Sequence, residues 1–329
     1  MTEALLKVKN LRTQFRTEGG VVKAVDDVSF EVKSGEIFAL VGESGCGKSV
    51  TALSIMGLIP NPPGEIVSGS IEFEGVDLLG LSSREMREIR GSRIGMIFQE
   101  PMSSLNPVLT IESQLVEPLK IHQNMPSDAA RDRAQELVDM VGIPDSKTRL
   151  KQYPHELSGG QRQRIMIAMA MACSPRLLIA DEATTALDVT IQAQILDLMQ
   201  DVTEKSGASL LVITHNLGIV ARYADRVAVM YAGKLREVSE ATDLYREPHH
   251  PYTVGLLQSV PRLDSEKGAP LIPIAGEIPD LTDLPEGCAF NPRCQWAVDK
   301  CRVEQPMLEE SEPSRQVACF EHKTVALGV

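Results

Sequence analysis

The chain has 329 residues, enough for about two domains, and its 43% hydrophobic and 24% charged residues are ordinary for a globular protein. Its formal net charge of -12 argues against a nucleic-acid binder, which is usually basic. The chain has no run of about 18 apolar residues, the length that would span a bilayer. Its N-terminus lacks the basic and apolar regions of a signal peptide. We therefore expect a cytoplasmic protein that reaches a membrane only through a partner.

The first part of the chain predicts strands followed by a glycine-rich loop. Strands are expected at residues 5–8 and 28–32, with a turn between them at 18–20. Residues 37–41 form an apolar run typical of a buried parallel strand, and residues 49–58 have helical spacing. Between this strand and this helix stands Gly42-Glu43-Ser44-Gly45-Cys46-Gly47-Lys48-Ser49, which fits the P-loop pattern G-x-x-x-x-G-K-[ST].

This loop predicts a site for ATP. Free N–H groups and the positive end of the helix dipole face the phosphates, and the glycines permit positive φ. We expect Lys48 to contact the β- and γ-phosphates and Ser49 to hold Mg²⁺. Further ATP contacts are expected from the same loop and the first helical turn, namely Gly42, Ser44, Gly45, Cys46, Gly47 and Val50. Cys46 is interpreted as a passive small side chain, although a thiol at a helix N-terminus can be reactive.

Beyond the loop, predicted strands and helices alternate. Apolar runs predict strands at residues 71–75, 93–98, 177–180 and 210–214. Helical spacing predicts helices at residues 126–142, 158–172, 191–202 and 218–223. The alternation is typical of βαβ units and a mainly parallel sheet, and so of the α/β class. After about residue 245 prolines cluster, and we predict a C-terminal extension of loops that begins near His250-Pro251-Tyr252.

An acidic pair follows one of the buried strands. Residues 176–180 lead directly into Asp181 and Glu182. Asp181 is expected in the Mg²⁺ ligand sphere, and Glu182 is placed to polarise the water that attacks the γ-phosphate. The alternative is an acidic pair that only caps the following loop.

Leu157-Ser158-Gly159-Gly160-Gln161 precedes a helix and predicts a second anion site. Ser158 is a good N-cap, and the two glycines expose N–H groups at the helix start. One nucleotide seldom needs two such sites from one fold, so we predict a head-to-tail dimer in which each P-loop faces the other subunit's Ser158-Gly159-Gly160. The alternative is a capped helix without a ligand.

Four of the six cysteines, Cys288, Cys294, Cys301 and Cys319, stand near the C-terminus, whereas Cys173 is interpreted as a core residue. A reducing compartment disfavours disulfides, so the cluster suggests a metal site that holds a loop-rich segment together. The absence of a C-x-x-C pair weakens the zinc interpretation, and irregular spacing suits a [4Fe–4S] cube. The residues alone leave iron–sulfur, zinc and free thiols open.

The P-loop, the Ser158 motif and the acidic pair, in this order and spacing, resemble the ABC-type ATPases over about residues 5–245. The resemblance implies a P-loop NTPase core of the RecA-like type with an antiparallel β-subdomain and an inserted helical subdomain at about 100–160. It implies an ATP-binding domain at 1–245. It also implies roles for four further positions: Gln99 as the Q-loop residue that senses Mg²⁺, His215 as the γ-phosphate switch, Ala186-Leu187-Asp188 as the D-loop, and Phe15 as the adenine-stacking aromatic.

Two positions depart from the common family pattern, since Ala183 follows Glu182 in place of proline and Asn216 follows His215 in place of aspartate. Neither change removes a catalytic group. We therefore expect Glu182, His215 and Gln99 to serve catalysis.

A second resemblance concerns the C-terminal part of the chain. Four segments are similar to dipeptide and oligopeptide importer ATPases, namely Glu247-Pro248-His249-His250-Pro251-Tyr252-Thr253, Gly287-Cys288, Asn291-Pro292-Arg293-Cys294, and Glu100-Pro101-Met102-Ser103-Ser104-Leu105-Asn106-Pro107. The resemblance implies that residues 246–329 form the extension of that family. It favours a [4Fe–4S] cluster on the four C-terminal cysteines, with zinc as the alternative.

The resemblance also implies partners and a place in the cell. We expect a second, related ATPase subunit that forms a heterodimer with this chain, two transmembrane permease subunits and an extracytoplasmic peptide-binding protein. The ATPase would lie on the cytoplasmic side of the bacterial inner membrane as a peripheral subunit and power peptide import. The alternatives are a nickel-complex importer ATPase and a redox-regulated ABC ATPase outside transport. No nucleic-acid partner is expected.

Overall fold

The computed structural model describes residues 4–99, 104–183, 189–260 and 273–326. In chain order its strands are β1 (Ala4–Thr17), β2 (Gly20–Lys33), β3 (Ile37–Val41), β4 (Gly64–Phe73), β5 (Val76–Asp77), β6 (Ile94–Ile97), β7 (Leu177–Asp181), β8 (Ser209–Thr214), β9 (Arg226–Tyr231), β10 (Lys234–Glu240), β11 (Glu309–Glu312) and β12 (Arg315–Val317). Its α-helices are α1 (Lys48–Ile55), α2 (Ser83–Ile89), α3 (Ile111–Gln123), α4 (Ser127–Met140), α5 (Ser146–Arg149), α6 (Gly159–Met171), α7 (Val189–Ser206), α8 (Leu217–Tyr223), α9 (Ala241–Arg246), α10 (Pro251–Gln258), α11 (Asp299–Val303) and α12 (His322–Ala326).

The chain divides into two compact units, each assembled from separate stretches of sequence. The first unit contains Met1–Leu5, Val32–Glu36 and Asp77–Ile213. The second contains Leu6–Glu31, Ile37–Val76 and Thr214–Val329. The acidic pair and the Ser158 motif belong to the first unit, and the P-loop and the C-terminal extension belong to the second. The predicted domain boundary near 245 and the helical subdomain at about 100–160 stay predictions.

The first unit is built on the parallel strands β6, β7 and β8. Ile94 pairs with Leu177, and Leu177 pairs with Ser209. Every residue of β7 and β8 is buried, which explains their uninterrupted apolar sequence. Gly95 on β6 is required for close packing of α6, because a Cβ atom there would lie 2.4 Å from the Ala170 carbonyl oxygen. The carboxyl end of β7 therefore carries Asp181 at the rim of a rigid, buried sheet.

The second unit holds most of a four-stranded sheet of order β2-β1-β4-β5, in which Leu6 on β1 pairs antiparallel with Phe73 on β4. It also contains β3, which pairs parallel with β9. The antiparallel strands β10, β12 and β11 continue from β9 in that order. A core of buried side chains packs against β3 and β9 and includes Tyr231, Tyr252 and Phe290, so the C-terminal extension shares the core of the P-loop strand.

The extension is more regular than predicted. Turns and irregular segments occupy most of residues 273–298, as expected of loops, but α10 begins at Pro251 and β12 adds to β10. Proline suits the first turn of a helix, and His250 caps α10 by accepting the N–H of Tyr252 on Nδ1 at 3.0 Å. Strands β9 and β10 were not predicted at all. Within the described ranges, no helix is both long and apolar enough to cross a membrane.

Candidate functional site

The P-loop in the second unit depends on glycine at two positions. Gly42 has φ of 155°, and a Cβ atom there would lie 2.2 Å from the Met230 carbonyl oxygen. Gly47 has φ of 109°, and its Cβ would lie 2.1 Å from the Ala24 carbonyl oxygen. Any side chain at either position would collide with backbone, so the loop can wrap this tightly only with these two glycines.

Lys48 is buried at the base of the loop, with 3% of its surface exposed. Its Nζ donates hydrogen bonds to the carbonyl oxygens of Gly42 at 2.9 Å and Glu43 at 3.0 Å. The ammonium group is thus held inside the curve of the loop, where a phosphate is expected. Cys46 is 2% exposed, and burial raises the pKa of its thiol. This agrees with its interpretation as a small, unreactive side chain.

The tip of the loop is open, and α1 begins without a side-chain cap. Ser44 and Gly45 are exposed, whereas Ser49 and Val50 are half-buried in the first turn of α1. Gly47 occupies the N-cap position and makes no side-chain capping hydrogen bond. The positive end of the α1 dipole is therefore directed at the loop, as an anion site requires.

The first unit brings two predicted catalytic residues together. Gln99 Nε2 donates a hydrogen bond to Glu182 Oε2 at 3.0 Å. Glu182 follows Asp181 at the end of β7, is 8% exposed and has φ of 45°. Its N–H donates to the Ile213 carbonyl oxygen at 2.9 Å, which fixes this left-handed backbone against β8. Asp181, at 5% exposure, is the neighbouring acid predicted to ligate Mg²⁺.

The Ser158 motif forms a capped and exposed helix tip in the first unit. Ser158 Oγ accepts the N–H of Gln161 at 3.4 Å, and Gln161 Oε1 accepts the N–H of Ser158 at 3.0 Å. Gln161 is therefore half of a capping box, which gives it a structural reason to stand here. A Cβ atom at Gly159 would meet nothing within 4 Å, whereas one at Gly160 would lie 3.6 Å from the Ile191 side chain, so the tip is open at Gly159.

Two further predicted nucleotide contacts lie in the second unit. His215 is exposed directly after β8, and Asn216 beside it donates its N–H to Thr214 Oγ1 at 3.0 Å. Phe15 on β1 is half-buried and pairs with Gly64 on β4. A Cβ atom at Gly64 would lie 2.7 Å from a carbon of the Phe15 ring, so the ring packs closely against this glycine at the first residue of β4.

Some predicted segments lie outside the described residues, namely 100–103 after Gln99 and the D-loop at 186–188. Ala183, which replaces the usual proline, is buried at 6% exposure. A small apolar side chain suits that position.

The four C-terminal cysteines line one small cavity. Cys288, Cys294, Cys301 and Cys319 face it together with aromatic and ring side chains that include His250, Phe290, Trp296 and Phe320. Burial raises the pKa of Cys294 to about 11 and of Cys319 to about 12, and the neighbouring thiols add to both shifts. Within the described residues, no group of three or more His, Cys, Asp or Glu side chains is placed to hold a metal ion.

Arg236 on β10 is a buried cation that the sequence analysis missed. The pairing of β10 with β9 skips from Leu235 to Glu237, so Arg236 lies in a bulge. It is 0% exposed, and its three guanidinium nitrogens have no hydrogen-bond partner among the residues that the structure describes. Burial lowers the pKa of Arg236. Among the groups around it, a negative charge on Cys288 would oppose that lowering most. A buried guanidinium without a hydrogen-bond partner is energetically unfavourable.

Arg293, next to Cys294, forms a second unpredicted feature of the extension. Its Nη1 and Nη2 donate to Oε2 and Oε1 of Glu43 at 2.8 and 3.2 Å. The N–H of Glu43 donates in turn to the Tyr252 hydroxyl at 2.8 Å. The P-loop is thus fastened to the extension at one residue by two different groups. The sequence showed the Asn291-Pro292-Arg293-Cys294 segment but gave no signal for its partner.

Comparisons with known proteins agree with this geometry. A family model described as "ABC transporter" matches residues 25–185, and one described as "Oligopeptide/dipeptide transporter, C-terminal region" matches residues 237–301. The oligopeptide transport ATP-binding protein AppD of Bacillus subtilis is 52% identical over 316 residues, 96% of this chain and 96% of the relative. The dipeptide transport ATP-binding protein DppD of the same organism is 54% identical over 318 residues, 97% of this chain and 95% of the relative.

Solved structures show the same fold. An ATP-binding cassette in a dimeric post-hydrolysis state, bound to ADP and Pi, matches with a TM-score of 0.65 at 27% identity, covering 72% of this chain and 98% of the other. The fold and the P-loop therefore define an ABC-type ATPase, and the predicted α/β P-loop NTPase class is confirmed. The chain belongs to the family of oligopeptide and dipeptide transport ATP-binding proteins, as its relatives and its C-terminal region show.

Proposed function

We propose that this chain is the ATP-hydrolysing subunit of a membrane importer of oligopeptides or dipeptides. The observation that carries the proposal is the identity of more than half the residues with two peptide-transport ATP-binding proteins over nearly the whole chain, extension included. The P-loop is built to take the ATP, with buried Lys48 inside the loop and the bare N-terminus of α1 behind it.

We infer that each ATP is held between two subunits. The P-loop, Ser49 and Asp181 of one subunit hold the phosphates and Mg²⁺, with Phe15 against the adenine. Ser158, Gly159 and Gly160 of the partner close the site from the other side. The exposed Gly159 at the tip of the 13-residue helix α6 supports this arrangement, because it leaves open space at the positive end of the helix dipole. Closing of the dimer on two ATP molecules then drives the transporter.

Hydrolysis requires an oriented water more than covalent chemistry. Glu182 is proposed to orient that water, His215 to contact the γ-phosphate, and Gln99 to link the site to the membrane subunits. The hydrogen bond between Gln99 and Glu182 supports these two roles, because it joins the carboxylate that would orient the water to the residue that would link the site to the membrane subunits. Loss of the γ-phosphate removes the group that bridges the two subunits, and the dimer opens.

The partners follow from the proposed task. We infer a related second ATPase subunit in a heterodimer, two permease subunits that cross the membrane, and an extracytoplasmic peptide-binding protein. This subunit would lie on the cytoplasmic face of the bacterial inner membrane. The net charge of -12 gives no support for a nucleic-acid partner.

Transport tests the proposal directly. The ATPase is purified with its companion subunits, placed in vesicles with the binding protein, and assayed for ATP-dependent uptake of labelled dipeptides and oligopeptides. Uptake that requires ATP and is lost in Glu182→Gln supports the proposal. Uptake of a chelated Ni²⁺ complex in the absence of any peptide uptake contradicts it.

We further propose that Cys288, Cys294, Cys301 and Cys319 ligate a [4Fe–4S] cluster. Four thiols on one cavity fit it, and each binds a different iron in a cube, so the ligands stand farther apart than around a single ion. Zinc fits less well, because its structural sites usually take closely spaced cysteine pairs and the four cysteines contain no C-x-x-C pair. The unpaired guanidinium of Arg236 beside Cys288 complements an anionic group.

When bound, such a cluster supplies a one-electron redox centre and a cross-link among four chain segments. The residues of this chain shape its surroundings. Phe290, Trp296 and Phe320 exclude water from the cavity, and Arg236 places a positive charge behind Cys288. Anaerobic purification followed by iron and acid-labile sulfide analysis tests the proposal. About four of each per chain supports it, whereas stoichiometric zinc without sulfide contradicts it.

A further inference from the structure

Glu43 stands at a position of the P-loop pattern that any residue can fill. Even so, its carboxylate, its N–H and its carbonyl oxygen all form hydrogen bonds. Its carboxylate accepts two hydrogen bonds from Arg293, and its N–H donates to the Tyr252 hydroxyl. Its carbonyl oxygen accepts a hydrogen bond from Lys48 Nζ at 3.0 Å. One loop residue thus connects the phosphate-binding lysine with two residues of the C-terminal extension.

The pairing of Arg293 with Glu43 is sheltered from solvent. The Arg293 side chain is 4% exposed, and that of Glu43 is 22% exposed. A two-pronged, charge-assisted contact in such surroundings is both strong and directional. Because an arginine side chain is effectively always charged, this contact is an ion pair as well as a hydrogen-bonded pair.

Arg293 is itself anchored on the side away from the loop. Its Nε donates to the Ala275 carbonyl oxygen at 2.9 Å, and its guanidinium lies 5.8 Å from the ring centres of both Tyr231 and Phe290. Tyr252 packs on the same two rings at 4.6 and 5.4 Å. Arg293 and Tyr252, the two residues that bond to Glu43, therefore both pack against the rings of Tyr231 and Phe290.

We propose that Arg293 and Tyr252 are positioning residues of the nucleotide site, which hold the P-loop through Glu43 in the shape that receives the triphosphate. The inference rests on the nucleotide site and not on the proposed cluster. A loop with several glycines loses much freedom when it binds phosphate. Contacts that restrict the loop before ATP binds raise the fraction of molecules whose loop already has the binding conformation. They therefore raise the apparent affinity for ATP.

The test compares the full-length chain with the variants Arg293→Gln, Glu43→Gln and their combination. The measured quantities are Kd for ATP, KM and kcat for hydrolysis, and the thermal unfolding midpoint. Arg293→Gln should raise the Kd and KM for ATP about tenfold, the size of one lost charge-assisted hydrogen bond, with kcat at saturating ATP within about twofold. The double variant should be no weaker than the worse single variant, because both changes remove the same contact.

Arg302→Gln is the matched control, since Arg302 stands next to Cys301 as Arg293 stands next to Cys294 but is exposed. If Arg293→Gln lowers the unfolding midpoint yet binds ATP as tightly as Arg302→Gln, the pair is only structural and the proposal is overturned. Additive losses in the double variant, or tighter ATP binding on loss of Arg293, overturn it as well.

Tyr252→Phe keeps the proposal testable if the arginine variants do not fold. It removes only the hydroxyl that accepts the Glu43 N–H and preserves the ring contacts with Tyr231 and Phe290. We expect a rise in the Kd for ATP of about threefold to tenfold, without a comparable fall in kcat. An unchanged Kd in a folded Tyr252→Phe chain contradicts the proposal.

Discussion

The side-chain amide of Gln99 donates a hydrogen bond to the carboxylate of Glu182, with 3.0 Å between Nε2 and Oε2. The two residues follow neighbouring parallel strands, β6 and β7, whose carboxyl ends lie side by side. They are therefore in contact although 83 positions separate them in the sequence. The contact occupies one oxygen of the group that we propose to orient water. If Glu182 orients the water as we propose, a displacement of Gln99 would act on hydrolysis directly through this hydrogen bond.

Glu182→Gln should abolish turnover but keep ATP bound. An amide cannot accept a proton from the attacking water, so the hydrolysis rate should fall by about 100-fold or more, while the Kd for ATP changes little. Single-turnover phosphate release and nucleotide binding measure the two quantities separately. Glu117→Gln, an exposed carboxylate on α3, is the control and should hydrolyse ATP normally. Native turnover in assembled Glu182→Gln transporter contradicts the assigned role.

Lys48→Ala should weaken ATP binding by about 10- to 100-fold, because it removes a charged donor worth about 1.5–3 kcal/mol. It also leaves the Gly42 and Glu43 carbonyl oxygens without the donor that they share. Titration with a fluorescent ATP analogue measures the effect. Lys9→Ala, at an exposed position on β1, should bind ATP as the unaltered chain does. Equal affinities for the two variants would be incompatible with the proposed phosphate contact.

Gly42→Ala and Gly45→Ala should differ sharply although both glycines have positive φ. At Gly42 the new methyl group would lie 2.2 Å from the Met230 carbonyl oxygen, whereas at Gly45 it would meet nothing within 4 Å. We expect a loss of stability of about 3 kcal/mol or more for Gly42→Ala, and about 1 kcal/mol for Gly45→Ala from backbone strain alone. Urea unfolding measures both, and a Gly42→Ala chain as stable as Gly45→Ala would show that the loop relaxes freely.

Cys46 should destabilise the fold as pH rises above the ordinary range of a thiol. Burial raises the pKa of its thiol above the ordinary value, so the unfolded chain loses this proton before the folded chain does. Its contribution to stability is therefore complete below the ordinary pKa and is lost as pH rises through the folded pKa. Cys46→Ala should flatten the fall in unfolding free energy that begins above about pH 8.5. An identical pH dependence of the two chains, or rapid alkylation of Cys46 in the folded chain at pH 8, would contradict this.

Arg236→Met should change stability in opposite directions with and without the cysteine-bound group. In the metal-free chain it removes a buried, unpaired cation, and we expect stabilisation of up to about 1–4 kcal/mol. In the cluster-loaded chain it removes the countercharge beside Cys288, so the variant should be less stable than its parent. Unfolding of both forms under anaerobic conditions measures the difference, with Arg302→Met as an exposed control. The same sign in both forms contradicts a role of Arg236 toward an anionic group.

The local parts of the nucleotide site could be predicted because each is formed by residues that are consecutive, or nearly so, in the sequence. The P-loop needs glycine where backbone approaches backbone, as at Gly42 and Gly47, and this constraint appears directly in the sequence. The Ser158–Gln161 capping box is equally local. Strand β3 was predicted at its observed bounds because five consecutive apolar residues have no other stable environment.

The contacts of the extension could not be predicted, because their partners are far apart in the sequence. Arg293 and Glu43 are separated by 250 positions, and neither has a neighbour that indicates the other. Arg236 was missed for a different reason. A charged residue in a strand is ordinarily assigned to the solvent side, but the bulge between Leu235 and Glu237 leaves it wholly inside. Prolines in the extension indicated loops, although Pro251 starts a helix.

The attachment of Glu43 has a consequence for synthesis of the protein. Every residue of the phosphate-binding pattern leaves the ribosome early, but Tyr252 and Arg293 follow 209 and 250 positions later. A translation product that stops short of them carries a complete nucleotide motif, but its Glu43 lacks both contacts with the extension. The gain in ATP affinity that we propose for these contacts would therefore arise only in chains that have been translated past Arg293.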